Sequence, residues 1–192
     1  MKYLSKFTKI TLCALYTLLC VSHVHGEEAK KFNEPTLAFS FEKEKTYYAI
    51  IHTSKGKIEC QLHPEVAPIS VTNFMQLAEG QFYNGLLFHN VVSGFIVQSG
   101  DPEGTGRGGP GYTLPAEIGL KHELGSMAWA RVPDNKINPF KRSSGSQFYI
   151  TLDEVSFLDG EYSVFGQMID GFDVIKNICQ GDKIENVEII VK

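Results

Sequence analysis

Thirty residues from Phe88 to Glu117, FHNVVSGFIVQSGDPEGTGRGGPGYTLPAE, constrain the fold more than any other stretch of the chain. Two short alternating segments flank a Ser93-Gly94 turn, and the loop that follows holds glycine at positions 104, 106, 108, 109 and 111. Segments so short, with a period of two, predict paired strands, and the glycines forbid a helix after them. The same pattern recurs along the chain. Tyr47–His52 and Lys57–Leu62 read as a hairpin turning at Ser54-Lys55-Gly56, and strands are predicted at Phe88–Val92, Phe95–Ser99, Ser126–Arg131, Gln147–Thr151, Ser163–Met168 and Val187–Val191. Only two stretches carry helical spacing. Pro68 opens one, with Val71, Phe74, Met75 and Ala78 on a face and Gly80 at its end; Val174, Ile175 and Ile178 mark the other over Asp173–Cys179. Eight strands and two helices without a βαβ rhythm predict a mainly β domain, a closed sheet plugged by helices.

That domain spans residues 46–192. Before it, Lys2, Lys6 and Lys9 lead into the apolar run Ile10–Val21, and Val24-His25-Gly26 offers a small residue, so residues 1–26 read as a secretory signal. The apolar run is too short for a membrane span, which needs about 20 residues. Acylation of Cys20 is the competing reading, and the bulky Leu19 before it argues against it. Residues 27–45 form a charged arm in which Leu37, Phe39 and Phe41 alternate, so part of it is expected to lie extended on the domain. Loss of residues 1–26 leaves 15 basic against 22 acidic residues, a formal charge of −7, which argues against nucleic acid or an anionic membrane as partner. Cys60 and Cys179 then remain. An oxidising compartment permits a bridge between them, and two separate thiols are the favoured reading.

Several familiar chemistries find no support. Gly104, Gly106 and Gly109 satisfy a dinucleotide-type spacing, but Pro110-Gly111-Tyr112 follows where a helix would have to open. His52, Cys60 and His63 do not converge on a metal, since Cys60 and His63 lie three apart on a strand and point to opposite faces. No Ser-His-Asp or Cys-His order stands out. No metal or other cofactor is expected.

Together with GSMAWAR (125–131), SSGSQFYI (143–150) and FLDGEYSVFGQM (157–168), the Phe88 run resembles the cyclophilin family of peptidyl-prolyl isomerases, over roughly Tyr47 to Lys192. The resemblance implies an eight-stranded antiparallel closed β-barrel capped by two α-helices. It also implies a site. The apolar pocket for a proline ring would be Phe95, Ile96, Phe148, Tyr149 and Leu158, and the polar edge would be Gln98, Gln147 and the backbone around Ala128, Trp129 and Ala130. His89 would stand beside the groove in a structural role, because the reaction removes no proton.

The chain departs from the family at several of these positions. The motif Phe-His-Arg here reads Phe88-His89-Asn90, so a shorter neutral amide replaces the arginine that would donate toward the prolyl nitrogen. Loss of one such preorganised donor has cost other enzymes about 10² to 10³ in rate. Phe157 stands where many members have the tryptophan that meets cyclosporin, so weak binding of that drug is expected. Tyr162 replaces a histidine, and Trp129 replaces a smaller polar residue at the groove wall. The loop Val132–Arg142 is longer than usual and is a source of Arg131, Lys141 or Arg142 for the groove. The resemblance implies an exported bacterial isomerase, periplasmic or secreted and monomeric, acting on X-Pro bonds of proline-containing polypeptides. The alternative is a proline-recognising binding module or chaperone in which Asn90 has ended most catalysis.

Overall fold

The computed structural model of the chain describes residues 31–36 and 38–192. The signal reading, residues 27–30 of the arm and Leu37 lie outside them. Ten strands and two α-helices follow in order: β1 (Tyr47–Thr53), β2 (Gly56–Leu62), α1 (Pro68–Glu79), β3 (Asn90–Val92), β4 (Ile96–Ser99), β5 (Thr113–Leu114), β6 (Ser126–Trp129), β7 (Ser143–Ser144), β8 (Phe148–Thr151), β9 (Val164–Asp170), α2 (Phe172–Lys176) and β10 (Ile184–Val191). Eight strands form one sheet in the order β10-β1-β2-β9-β6-β8-β4-β3, and every pairing within it is antiparallel. β5 and β7 pair separately.

The sheet curls without closing, which corrects the closed barrel expected from the sequence. Its terminal strands, β3 and β10, share no ladder. Only the approach to β3 reaches across: Leu87 bridges Lys183, and Ile184 exchanges hydrogen bonds with Gly85 and Leu86. β3 has three residues, all paired with β4.

The β1–β2 hairpin turns where the sequence placed it, with Thr53 opposite Gly56 and the Thr53 hydroxyl bonded to the Gly56 carbonyl at 2.8 Å. Pro68 opens α1, where its missing N–H costs nothing. No neighbouring side chain caps that end. The Glu117 carboxylate instead accepts from Ile69 N–H and Ser70 N–H at 2.9 and 2.7 Å, across almost fifty residues of chain. At the other end the left-handed residue is Gln81, and Gly80 answers a different need, because a Cβ there would collide with the ring of Phe32. The second helix stops at Lys176, short of the expected Cys179; the Asp182 carboxylate takes the Cys179 N–H at 2.7 Å instead.

Most of the apolar mass lies between α1 and one face of the sheet. Phe74 of α1 meets Tyr83, Phe148, Phe165 and Trp129 at ring-centre distances of 5.0 to 6.2 Å. Such contacts add about 0.5–1.5 kcal/mol each beyond area burial. Cys60 is buried in this core and Cys179 is exposed, both unpaired, in keeping with two separate thiols. The arm is more attached than a solvated tail. Phe32 packs edge-on against Phe82 at 5.3 Å, Pro35 is buried, and Phe39 N–H donates to the Thr72 hydroxyl.

Candidate active site

Strand parity divides the side chains of β6 and β8 between two faces. Met127, Trp129, Phe148 and Ile150 enter the main core, while Ala128 and Tyr149 join Ile96 and Val164 in a smaller cluster on the other face. Phe95, Leu120, Ala130, Leu158 and Tyr162 complete that cluster. Trp129 and Phe148 are therefore not groove residues: both are 0 % exposed, and Trp129 stacks on Phe165 at 4.4 Å. This corrects the expected pocket, because a side chain adjacent to Ala128 or Tyr149 on a strand must face the opposite way. Phe157 stands at the rim, exposed, with its ring stacked on Phe95 at 5.7 Å.

A string of three amides borders the cluster. Register sets Asn90 opposite Gln98, and Gln98 opposite Tyr149. Asn90 Nδ2 donates to Gln98 Oε1 (2.9 Å), Gln98 Nε2 to Gln147 Oε1 (3.0 Å), and Gln147 Nε2 to the Gly108 carbonyl (2.8 Å). The terminal carbonyl can only accept, so it fixes the direction of every amide before it. Asn90 consequently keeps one N–H and its Oδ1 outside the string.

Gly108 is itself held by Asp101. That buried carboxylate collects the N–H groups of Glu103 and Thr105 at 2.8 and 2.9 Å, and also that of Gly106. Burial pushes its pKa up, but the backbone donors of Glu103, Gly108 and Gly106 and the nearby His89 bring it below the usual carboxylate value. A Cβ at Gly108 would collide with this carboxylate, and one at Gly100 with the Ser146 carbonyl, so the loop can pass here only as glycine. His89 has both ring nitrogens enclosed and without a hydrogen-bond partner among the described residues. It presents neither donor nor acceptor to the groove.

Sequence reasoning missed the support beneath Tyr149. His122 is fully buried; its Nδ1 lies 3.0 Å from Asp159 Oδ1 and its Nε2 3.0 Å from the Tyr149 hydroxyl. The same Asp159 oxygen accepts the His122 backbone N–H at 2.8 Å. With Nδ1–H donating to the Asp159 carboxylate, Nε2 is left to accept from Tyr149, so the hydroxyl points away from the pocket. Burial lowers the pKa of His122, opposed by Asp159, and burial pushes the Tyr149 phenol well up. Asp159 lies in the FLDGEYS motif, but His122 sits outside all four quoted motifs, and nothing in its spacing links the two.

The basic residues of the long loop do not reach the amide string. Arg131, nearly buried, donates Nε to the Glu161 carbonyl (2.8 Å) and Nη2 to Glu161 Oε2 (2.6 Å), with its guanidinium 4.8 Å over Tyr162. Lys141 meets Glu161 Oε1 and the Gly160 carbonyl, both at 2.8 Å. Arg142 bonds Thr113 and, at 2.8 Å, Glu34 of the arm. Hydrogen bonding from Lys141 leads the effects that hold the Glu161 pKa below its ordinary value. Between this loop and the Gly-rich loop opens a cavity of ≈ 930 Å3, lined on the groove side by Gln98, Gln147 and Ala130.

Among the described residues no group of three or more His, Cys, Asp or Glu could hold a metal ion, and no helix is long and apolar enough to cross a membrane. The arrangement can hold an apolar ring and orient a peptide backbone.

Residues 48–191 match the family described as Cyclophilin type peptidyl-prolyl cis-trans isomerase/CLD. A peptidyl-prolyl cis-trans isomerase of Helicobacter pylori is 43% identical over 148 residues, covering 74% of this chain and 86% of that protein. Peptidyl-prolyl cis-trans isomerase B of Bacillus subtilis is 40% identical, covering 76% and 98%. The crystal structure of a cyclophilin-type isomerase of Cryptosporidium parvum superposes with a TM-score of 0.68 at 31% identity, covering 76% of this chain and 98% of that one. A second crystal structure of the same protein was determined in the presence of the dipeptide Ala-Pro, with a TM-score of 0.67.

Proposed function

The chain belongs to the cyclophilin-type peptidyl-prolyl cis-trans isomerases, and from that membership we propose that the groove between the Asn90–Gln98–Gln147 string and the Tyr149 cluster is where it turns X-Pro bonds of exported, folding polypeptides. The observation that carries this reading is the amide string lying directly against an apolar pocket. The barrier to rotation is about 18–20 kcal/mol and comes from amide resonance, which is lost when the bond twists and the nitrogen regains its lone pair. Phe95, Ile96, Tyr149 and Leu158 would hold the ring over the buried Ala128, Ala130 would meet the neighbouring backbone, and Gln98 and Gln147 would orient the substrate carbonyls. Asn90 would supply the remaining N–H toward the prolyl nitrogen. Ring contacts are equal in ground and twisted states and do not accelerate the step.

Proline-containing polypeptides are the proposed partners, as the Ala-Pro dipeptide used with the Cryptosporidium relative suggests. We place the enzyme outside the cytoplasm, periplasmic or secreted, as a monomer with residues 1–26 removed. Cyclosporin should bind weakly, because Phe157 has no indole N–H to donate.

A peptide isomerisation assay of wild type beside Asn90→Arg tests the assignment. The Gln98 carbonyl that now accepts from Asn90 can accept from a guanidinium, leaving further N–H groups for substrate. kcat/KM should rise by up to about a hundredfold with peptide affinity little changed. An unchanged rate in a folded variant would remove Asn90 from the donor role, and binding without turnover in wild type would favour the binding module.

A further inference from the structure

Two walls of the ring pocket hang on one buried imidazole. His122 reaches Tyr149 on β8 through Nε2 (3.0 Å) and Asp159, the residue after Leu158, through Nδ1 (3.0 Å). Tyr149 and Leu158 both belong to the cluster assigned to the proline ring. The imidazole is clamped on every side. The His122 N–H donates to Asp159 at 2.8 Å and its carbonyl accepts from Val155 N–H at 3.0 Å. Its ring lies 12° from the plane of Tyr149 at 6.1 Å, and Tyr162 meets it edge-on at 6.3 Å. An imidazolium formed here cannot swing out to water and must be accommodated in place.

The groups that face it decide how. From the loop before β9, Asp159 brings the one charge in hydrogen-bond contact, and Tyr162 brings a ring with the Arg131 guanidinium over it. Arg131, beyond the end of β6, is itself paired with Glu161, which also meets Lys141. Lys121 and Glu123 flank His122 in its own loop and are exposed. β8 presents the Tyr149 hydroxyl, whose one partner among the described residues is His122.

Burial keeps the imidazole neutral at neutral pH against the pull of Asp159, and burial keeps the phenol protonated, so Tyr149 always has a proton to place. With His122 neutral, that proton goes to Nε2. With His122 protonated, both ring nitrogens donate and Nε2–H claims the phenol oxygen. The phenol proton must then turn to its other side, among carbon atoms, and the apolar cluster holds a charge and an unpaired O–H together.

We propose that His122 is a positioning residue of the proline pocket: while neutral it fixes Tyr149 with the hydroxyl turned away, and its protonation in acid weakens the hold on the proline ring. This rests on the isomerase reading of the groove. By linkage, a bound proline ring in turn makes His122 harder to protonate.

The test is the Kd of a capped Xaa-Pro peptide without titratable groups, followed by NMR titration from pH 7.5 to 5.0 for wild type, His122→Gln and Tyr149→Phe. Circular dichroism at each pH confirms that the protein is folded. The wild-type Kd should rise by about threefold or more at the acid end, with KM following and kcat unchanged, because ring contacts are shared by ground and twisted states. His122→Gln keeps a neutral acceptor that does not titrate, and Tyr149→Phe has no hydroxyl to turn, so each should flatten the profile whatever its Kd at pH 7.5. A flat wild-type profile would overturn the proposal. So would an acid rise that persists in either variant, which would belong to another group such as His89. If wild type binds the peptide and turns none over, the isomerase reading fails, and the Kd profile still decides the role of His122.

Discussion

Tyr149 brings a hydroxyl into an apolar cluster, and His122 is where that hydroxyl goes. Tyr149→Phe keeps the ring but leaves the buried Nε2 without its donor, so unfolding free energy by urea titration should fall by about 1–3 kcal/mol. His122 adds a pH dependence. Its folded pKa lies below the ordinary 6.5, so below pH 6.5 the unfolded chain binds the proton more readily. The stability it contributes is complete above 6.5 and drains away as pH falls toward the folded value. Melting temperatures of wild type should drop through that window, and His122→Asn should flatten the drop; parallel curves would show that another group controls it. At this scale the sequence held a signal that motif matching overrode. Ala128 with Trp129, and Phe148 with Tyr149, are strand neighbours and cannot share a face, so period-two parity alone would have sent Trp129 and Phe148 to the core. No such signal existed for His122, whose partners lie 27 and 37 residues away.

Among the elements, α1 was legible because Pro68 and the apolar spacing act locally. Its N-terminal anion was not, since Glu117 arrives from a loop without secondary structure of its own. Glu117→Ala should lower stability by about 0.5–2 kcal/mol, measured by urea unfolding, with Glu117→Gln losing less because its amide oxygen can still accept. Equal losses in the two variants would show that packing, not capping, is what Glu117 provides. The two-residue strands β5 and β7 escaped notice for a simpler reason: a period of two cannot be read from two residues. The long loop was found as a length, while the fate of its cations depended on Glu161 and Glu34, which sit in other elements.

For the whole molecule, the eight strands of the main sheet were legible in the sequence and their antiparallel pairing was implied by the family resemblance, whereas closure was not legible, because it depends on whether the first and last strands of the order meet. The two thiols of the domain differ in a way that can be measured. Burial, helped by Glu59, pushes Cys60 up to about 12, and Cys179 is exposed. In native protein lacking residues 1–26, an alkylating reagent should label one thiol quickly and the second only after denaturation, as read by mass. Intact mass from the native host should likewise show residues 1–26 gone; their retention on cytoplasmic protein would sink the export proposal. The chain's only tryptophan, Trp129, stacks on Phe165 within the core. It makes the protein its own optical probe. A lone indole shielded from water emits toward the blue, and it reddens when the core admits solvent. Selective excitation of that one ring would therefore follow the opening of this interior in real time, without any attached dye.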